Sequence, residues 1–286
     1  MNKTTFIQRH PLLTFYVLAF AISWLGWMPQ TLHSYGLFPF DHPILNLLGG
    51  AGPTLAAVAV LWATGNRDGI RRLFSSLLRW RFALIWYVFV FLFWFVVATA
   101  AITIGILFGQ PLPTLKLISW FALPSVFLMM LISNVWEEVG WRGFALPRLQ
   151  EHHSDLKIVF IMGLLWSIWH LPLLLNPASP MASLPWYGEI LFSLSLTAIY
   201  TWLYNHTRHS LLPVSIFHAM SNTVAFILLE LGVYGSSYLF VVGITTTVAV
   251  GIVLLFGTHR FHRSGNDVLL TDLQNPEDFR NQPTRS

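Results

Sequence analysis

The sequence predicts an all-α, polytopic transmembrane helix bundle of about eight spans, with both termini in the cytoplasm. Three observations lead there. Of the 286 residues, 55% are hydrophobic and only 10% are charged, against about 25% charged in soluble domains. Apolar runs close to the roughly 20 residues that a helix needs to cross a hydrocarbon core recur along the chain. The basic residues gather in alternate connections between those runs. Mean hydropathy is +0.61.

The runs lie near 12–32, 44–64, 83–108, 118–138, 157–175, 189–204, 211–230 and 236–256. The first follows "MNKTTFIQRH", a basic start like that of a signal peptide. No small-residue cleavage site follows it, so a retained first helix is expected. The second contains "LGGAGP" at 48–53, which reads as close helix packing with a bend at Pro53 rather than as a ligand loop. The segment "GNRDGIRRLFSSLLRWR" is basic and amphipathic, suited to the anionic inner leaflet or to a solvated loop. Trp27, Trp80, Trp120, Trp186, Tyr187 and Tyr204 sit near span ends and read as interfacial anchors. Residues 1–256 are expected to form a single integral membrane domain, with a motif-bearing core at about 118–230. Residues 257–286 read as a polar cytoplasmic tail.

With the amino end inside, the inner segments are 1–11, 65–82, 139–156, 205–210 and 257–286, with Lys157 at a boundary. Every one of the 16 Lys and Arg residues except Lys116 then falls on that side. This asymmetry is the positive-inside signature, and it accounts for the net charge of +4 without any nucleic-acid partner. With no cysteine, disulfides, thiolate catalysis and Cys-based metal sites are excluded.

Intramembrane ionisable groups are costly and mark functional sites by default. In "NVWEEVGWRGFALPR" (134–148), Glu137 and Glu138 end an uncharged run, whereas Glu189 and Glu230 fall at expected outer edges. His170 and His218 lie well inside helices, and Asn222 lies four residues after His218. Residues four apart share a helix face and adjacent ones diverge by about 100°. Glu138 and Arg142 are therefore expected to form a structural ion pair, leaving Glu137 as the free carboxylate. His218 and Asn222 present imidazole and amide on one face. His170 precedes Pro172, where a helix bends and frees backbone groups. Each has a plainer reading as interhelical polar glue, but four such groups gathered only for packing would be expensive. Ser167 and Ser221 stand in no nucleophile-elbow context.

These residues resemble the CAAX-protease and bacteriocin-processing family, also described as abortive-infection or type II CAAX prenyl endopeptidase-like proteins. "EEVGWR" at 137–142 fits its EExxxR motif, "WSIWH" at 166–170 is similar to FxxxH, and "HAMSN" at 218–222 fits HxxxN/D. The departure is Trp166 in place of phenylalanine, an aromatic for an aromatic. The resemblance implies a cofactor-free, glutamate-type intramembrane endopeptidase in a bacterial plasma membrane. Glu137 and His170 would activate water, and His218 and Asn222 would stabilise the oxyanion. It implies a membrane-associated peptide or protein substrate, prenylated or otherwise lipidated in some relatives. Oligomeric state is not legible.

Two rivals stand beside it. Glu137, His170 and His218 are also residue types that bind zinc with an open water position, although no HExxH spacing is present. A non-enzymatic scaffold, immunity factor or carrier could use the same polar cavity. Depth raises a further question. Glu137 is expected near the inner end of its span, while His170 lies about 20 Å along its helix from Lys157, at 1.5 Å per residue. The two are expected to meet through a longer fourth helix, a tilt, or a bend at Pro172.

Overall fold

A computed structural model of the chain describes residues 5–39, 41–113, 120–259 and 261. Lys116, the first residues of the fourth apolar run and nearly all of the 257–286 tail lie outside the described residues. Among the described residues all regular structure is helical, and the longer helices pack as one bundle. They are α1 (Pro11–Ser34), α2 (Pro43–Ala63), α3 (Leu84–Leu107), α4 (Leu123–Glu138), α5 (Asp155–Trp169), α6 (Trp186–His206), α7 (Leu211–Glu230) and α8 (Tyr234–Phe256). By length and composition α1, α2, α3, α7 and α8 can each cross a membrane. The helices α4 and α5 are shorter, at 16 and 15 residues, and α6 carries polar residues on its buried side.

Small residues set the tightest contacts. A Cβ on Gly26 of α1 would meet the Leu45 carbonyl oxygen of α2 at 2.5 Å, so the backbones there approach as only glycine allows. Beside it, Trp27 Nε1 donates to Asn46 Oδ1 at 3.1 Å. The "LGGAGP" segment therefore serves packing, and α2 runs on through Pro53. Farther along, α4 seats on α2: Gly140 lies against Pro53, where a Cβ would come within 2.4 Å, and the Thr54 hydroxyl donates to the Trp136 carbonyl.

The helices α3, α7 and α8 close the other side. Trp94 Nε1 of α3 donates to the Phe217 carbonyl of α7 at 2.9 Å, and the Phe89 ring stacks on Phe217. Outward residues such as Leu84, Leu92, Val96 and Leu254 stay exposed, as they should on surfaces meant for hydrocarbon.

The structure resolves three of the sequence readings. Residues 139–150 are not a loop but helix, the longer fourth helix that the depth question allowed for. The helix runs on from α4 through a π-helical turn (Val139–Ala145) into Leu146–Gln150. Trp141, Phe144, Ala145 and Leu146 are buried in the bundle, and that burial outweighs the polar character of the segment. Trp27 and Tyr204 are not interfacial anchors, because both are buried; Trp27 packs on Trp169 with ring centroids 4.4 Å apart. Trp80, Trp186 and Tyr187 are exposed, while the Trp120 side chain lies outside the described residues. Finally, the basic segment after α2 takes the amphipathic form of its two readings, a helix, Arg67–Ser75, with Leu73 turned inward and Arg71 and Arg72 outward.

Candidate active site

The continuation of α4 answers the depth question. Glu137 and Glu138 lie near the middle of one helical path from Leu123 to Gln150, interrupted only by the π-helical turn that follows them. Such turns trade regular hydrogen bonding for a local change in helix phase and recur at functional sites.

The two neighbours face different surroundings. Glu138 is fully buried, and its Oε1 accepts from Arg142 Nη1 at 3.1 Å and from His218 Nδ1 at 2.8 Å. The Arg142 guanidinium also lies over the Trp166 and Tyr200 rings, at 4.6 and 4.4 Å. This charge is thus enclosed by a carboxylate and two π faces. Glu137, about a third of a turn away, lines a cavity instead. Its Oε2 is buried with no hydrogen-bond partner among the described residues.

That cavity has a volume of about 1310 Å³. Glu137, His170, His218 and Asn222 all line it, so side chains from α4, α7 and the end of α5 share one chamber. Its remaining wall is largely apolar, with Leu128, Met129, Ile132, Leu196, Val224 and Leu228 prominent. Glu137 lies within electrostatic range of both imidazoles.

Local sequence explains how each ring is presented. The helix α5 stops at Trp169, and His170 leads into a separate short helix, Leu171–Leu175. Pro172 cannot continue the α5 ladder. The carbonyls released there are taken by α1, through Trp24 Nε1 to Trp169 and the Thr31 hydroxyl to Pro172. On α7, His218 and Asn222 sit one turn apart. Asn222 Nδ2 donates to Asn134 Oδ1 at 3.1 Å, which leaves its second amide hydrogen for other use. Trp166 packs edge-on against His218 and tilted on His170, with centroids 5.7 and 5.4 Å away.

Two residues of this chamber escaped the sequence reading. Glu189, set aside as an outer-edge residue, lies in the first turn of α6 and is buried at the cavity wall. Its Oε1 is 3.4 Å from His170 Nδ1 and accepts from the Ser193 hydroxyl at 2.8 Å; its Oε2 accepts from Tyr238 at 3.4 Å. A first-turn position suits a carboxylate, because the helix dipole is positive there. The second is Asn134, 2% exposed, on the face of α4 that carries Glu138 one turn later. Its signal was present, an amide inside an apolar run four residues before an acid.

Among the described residues, no three His, Asp or Glu side chains gather closely enough to hold a metal ion. Glu137, His170 and His218 share a chamber without forming a ligand cluster, and the Nδ1 atoms of both rings already face carboxylates.

A family model described as type II CAAX prenyl endopeptidase Rce1-like matches residues 119–224, a stretch that contains all of these motif residues. The CAAX prenyl protease 2 of Methanococcus maripaludis is 25% identical over 224 residues, covering 73% of this chain and 81% of that protein. Both comparisons support a likeness to the type II CAAX prenyl endopeptidases, carried by residues 119–224. The chain is accordingly an intramembrane endopeptidase, and its long apolar helices fit a multi-pass integral membrane protein. That activity, amide hydrolysis, makes the scaffold reading unnecessary.

Proposed function

We propose that the chain hydrolyses a peptide bond of a lipidated, membrane-associated substrate by a metal-free glutamate mechanism. Glu137 and His170 activate the water, while His218 and Asn222 hold the oxyanion. The observation that carries this reading is the Glu137 carboxylate, buried with an oxygen that has no partner among the described residues, at the wall of a chamber that also holds both imidazoles.

Amide hydrolysis needs a nucleophile, a place for negative charge and a proton for the leaving amine. A water held between Glu137 and His170 gives its proton to Glu137 as its oxygen attacks the substrate carbonyl carbon. The C=O electron pair moves onto oxygen. There it meets Nε2–H of a protonated His218, whose Nδ1–H is directed to Glu138, and the remaining amide hydrogen of Asn222. When the intermediate collapses, the C–N bond breaks and the proton on Glu137 passes to the departing nitrogen. The products are a carboxylic acid and an amine, and Glu137 returns to its starting state. His170 is steadied by Glu189, which Ser193 and Tyr238 hold in turn. The enclosure of Glu138 by Arg142 and His218 keeps that carboxylate out of the proton chemistry.

Two facts support a lipidated substrate. The chamber is large and mostly apolar, with polar groups concentrated at one part of its wall, which suits a hydrocarbon chain joined to a peptide. The Methanococcus relative is named for a prenylated class of substrate. We further read residues 1–256 as one membrane domain with both termini on the basic, cytoplasmic side.

The test pairs a farnesylated peptide with its unmodified counterpart and follows cleavage in detergent by wild type, Glu137→Ala, His170→Ala and His218→Ala. Wild-type cleavage that is lost in all three variants and favours the farnesylated peptide supports the reading. Equal cleavage by all four proteins would falsify the assigned roles, and equal rates on both peptides would remove the lipid from it.

A further inference from the structure

A second, smaller concavity lies apart from the catalytic chamber, on the side where the basic connections gather. It measures about 200 Å³ and is walled by the start and end of the Arg67–Leu78 segment, the π-helical turn after α4 and the α6–α7 turn. Its character is the reverse of the first. Arg72, Arg79 and Arg148 line it together with Asn66, Ser76 and His209, and no carboxylate does among the described residues.

The three guanidinium groups are not neutralised among the described residues. None has a carboxylate within ion-pair distance among the described residues, where the salt bridges belong to Arg142, His170 and His218. Glu151 influences Arg148 from outside the pocket. Arg79 Nη1 donates to the Arg208 carbonyl at 3.3 Å, and Arg148 Nη1 donates to the Phe144 carbonyl at 2.7 Å while lying over the Phe144 ring. Those contacts fix two of the groups yet use one donor each of the five a guanidinium carries. The α6–α7 turn is held in a costly shape, with Arg208 and His209 at φ 56° and 54° in a region that non-glycine residues rarely adopt. That turn supplies both the carbonyl that holds Arg79 and a ring in the pocket wall.

Three guanidinium groups with spare donors, lining one polar hollow too small for an acyl chain, match the charge of a phosphate and its need for several donors. We propose that this pocket binds the phosphate of an anionic phosphoester, supplied by the headgroup of an inner-leaflet phospholipid or by free phosphate. The surroundings favour the lipid. Two of the walls, the Arg67–Leu78 segment and the α6–α7 turn, come from connections that the positive-inside asymmetry assigns to the cytoplasmic face. Leu78 and Trp80, flanking Arg79, are 77% and 59% exposed, so apolar surface is ready for the acyl chains beside the charged hollow. This inference is independent of the peptidase mechanism, since the pocket contains none of the proposed catalytic residues.

The experiment measures binding of dioctanoyl phosphatidylglycerol, dioctanoyl phosphatidylcholine and inorganic phosphate to the full chain in a neutral detergent. Arg72→Gln and Arg79→Gln are compared with Arg71→Gln, which removes the same charge from the same helix outside the pocket. Thermal unfolding without ligand confirms that each variant is folded; Arg72 and Arg71 are both exposed. Phosphatidylglycerol should bind and phosphatidylcholine should not. Arg72→Gln and Arg79→Gln should weaken binding about 10-fold, the scale of a lost charged hydrogen bond, with Arg71→Gln near wild type. Competition by inorganic phosphate would assign the phosphate group alone as the ligand; its absence would assign the lipid. Equal losses in Arg71→Gln and Arg72→Gln, or equal binding of the two lipids, would overturn the proposal.

Discussion

Two carboxylate–imidazole couples stand in this bundle, and they are built differently. Glu138 meets His218 at 2.8 Å deep in the core, with Arg142 closing the same oxygen. Glu189 meets His170 at 3.4 Å on the cavity wall, steadied by a serine and a tyrosine hydroxyl. The first couple is locked by a full opposing charge and two aromatic faces, so its geometry is part of what holds the fold. The second is held by neutral donors and faces open space, so its ring can exchange partners. Between them lies Glu137, which has neither kind of partner among the described residues. Pairing decides which acid is structural and which is available for chemistry.

The largest effect that tests this contrast is at Glu137. Glu137→Ala should lower kcat by about 1,000-fold or more, within the range for loss of a positioned acid–base group, while thermal unfolding stays close to wild type. Glu138→Ala should do the opposite. Removing one partner of a buried ion pair costs about 3–5 kcal/mol, so this variant should lose thermal stability or fail to fold. A stable but inactive Glu138→Ala protein, beside an unstable Glu137→Ala, would exchange the roles of the two acids.

Smaller effects refine the picture. Asn222→Ala should lower kcat by about 100- to 1,000-fold with little change in KM, the range for one oxyanion donor. Glu189→Gln keeps the shape but removes the charge facing His170. We expect a loss of about 10-fold, the scale of one interaction with a charged group, with a displaced pH–rate profile and an unchanged melting temperature. An unmoved profile would make Glu189 merely structural. Smallest of all, a strong zinc chelator should leave activity unchanged and purified active protein should carry no stoichiometric metal; loss of activity restored by zinc would revive the metallopeptidase reading.

Much of this was legible in the chain. Hydropathy is a local property, so the long helices could be read from apolar runs with ends displaced by only a few residues. The ion pair between Glu138 and Arg142 follows from a spacing of four on one helix, and His218 and Asn222 share a face by the same rule. What escaped depends on distance through space. Glu189 sits 19 positions beyond His170, and its place at the start of a helix concealed how far that end dips into the bundle. The burial of Trp27 and Tyr204 could not be told from interfacial anchoring, since both fates place an aromatic ring near the end of an apolar run. The sequence leaves residues 139–150 between a connection and a longer fourth helix, and they are helix because their aromatic residues found a core to enter.

The sequence by itself determined that this chain is an apolar helical bundle, and that a few ionisable residues within it must find partners or a purpose, because hydrocarbon offers none. Only the tertiary structure decided how those residues divide. It closed Arg142 and His218 over Glu138, turned Glu137 toward the chamber, drew Glu189 beside His170 and gathered three arginines from separate segments into one hollow. Helix periodicity fixes directions within an element, but the partner that each direction meets is set by how the elements pack.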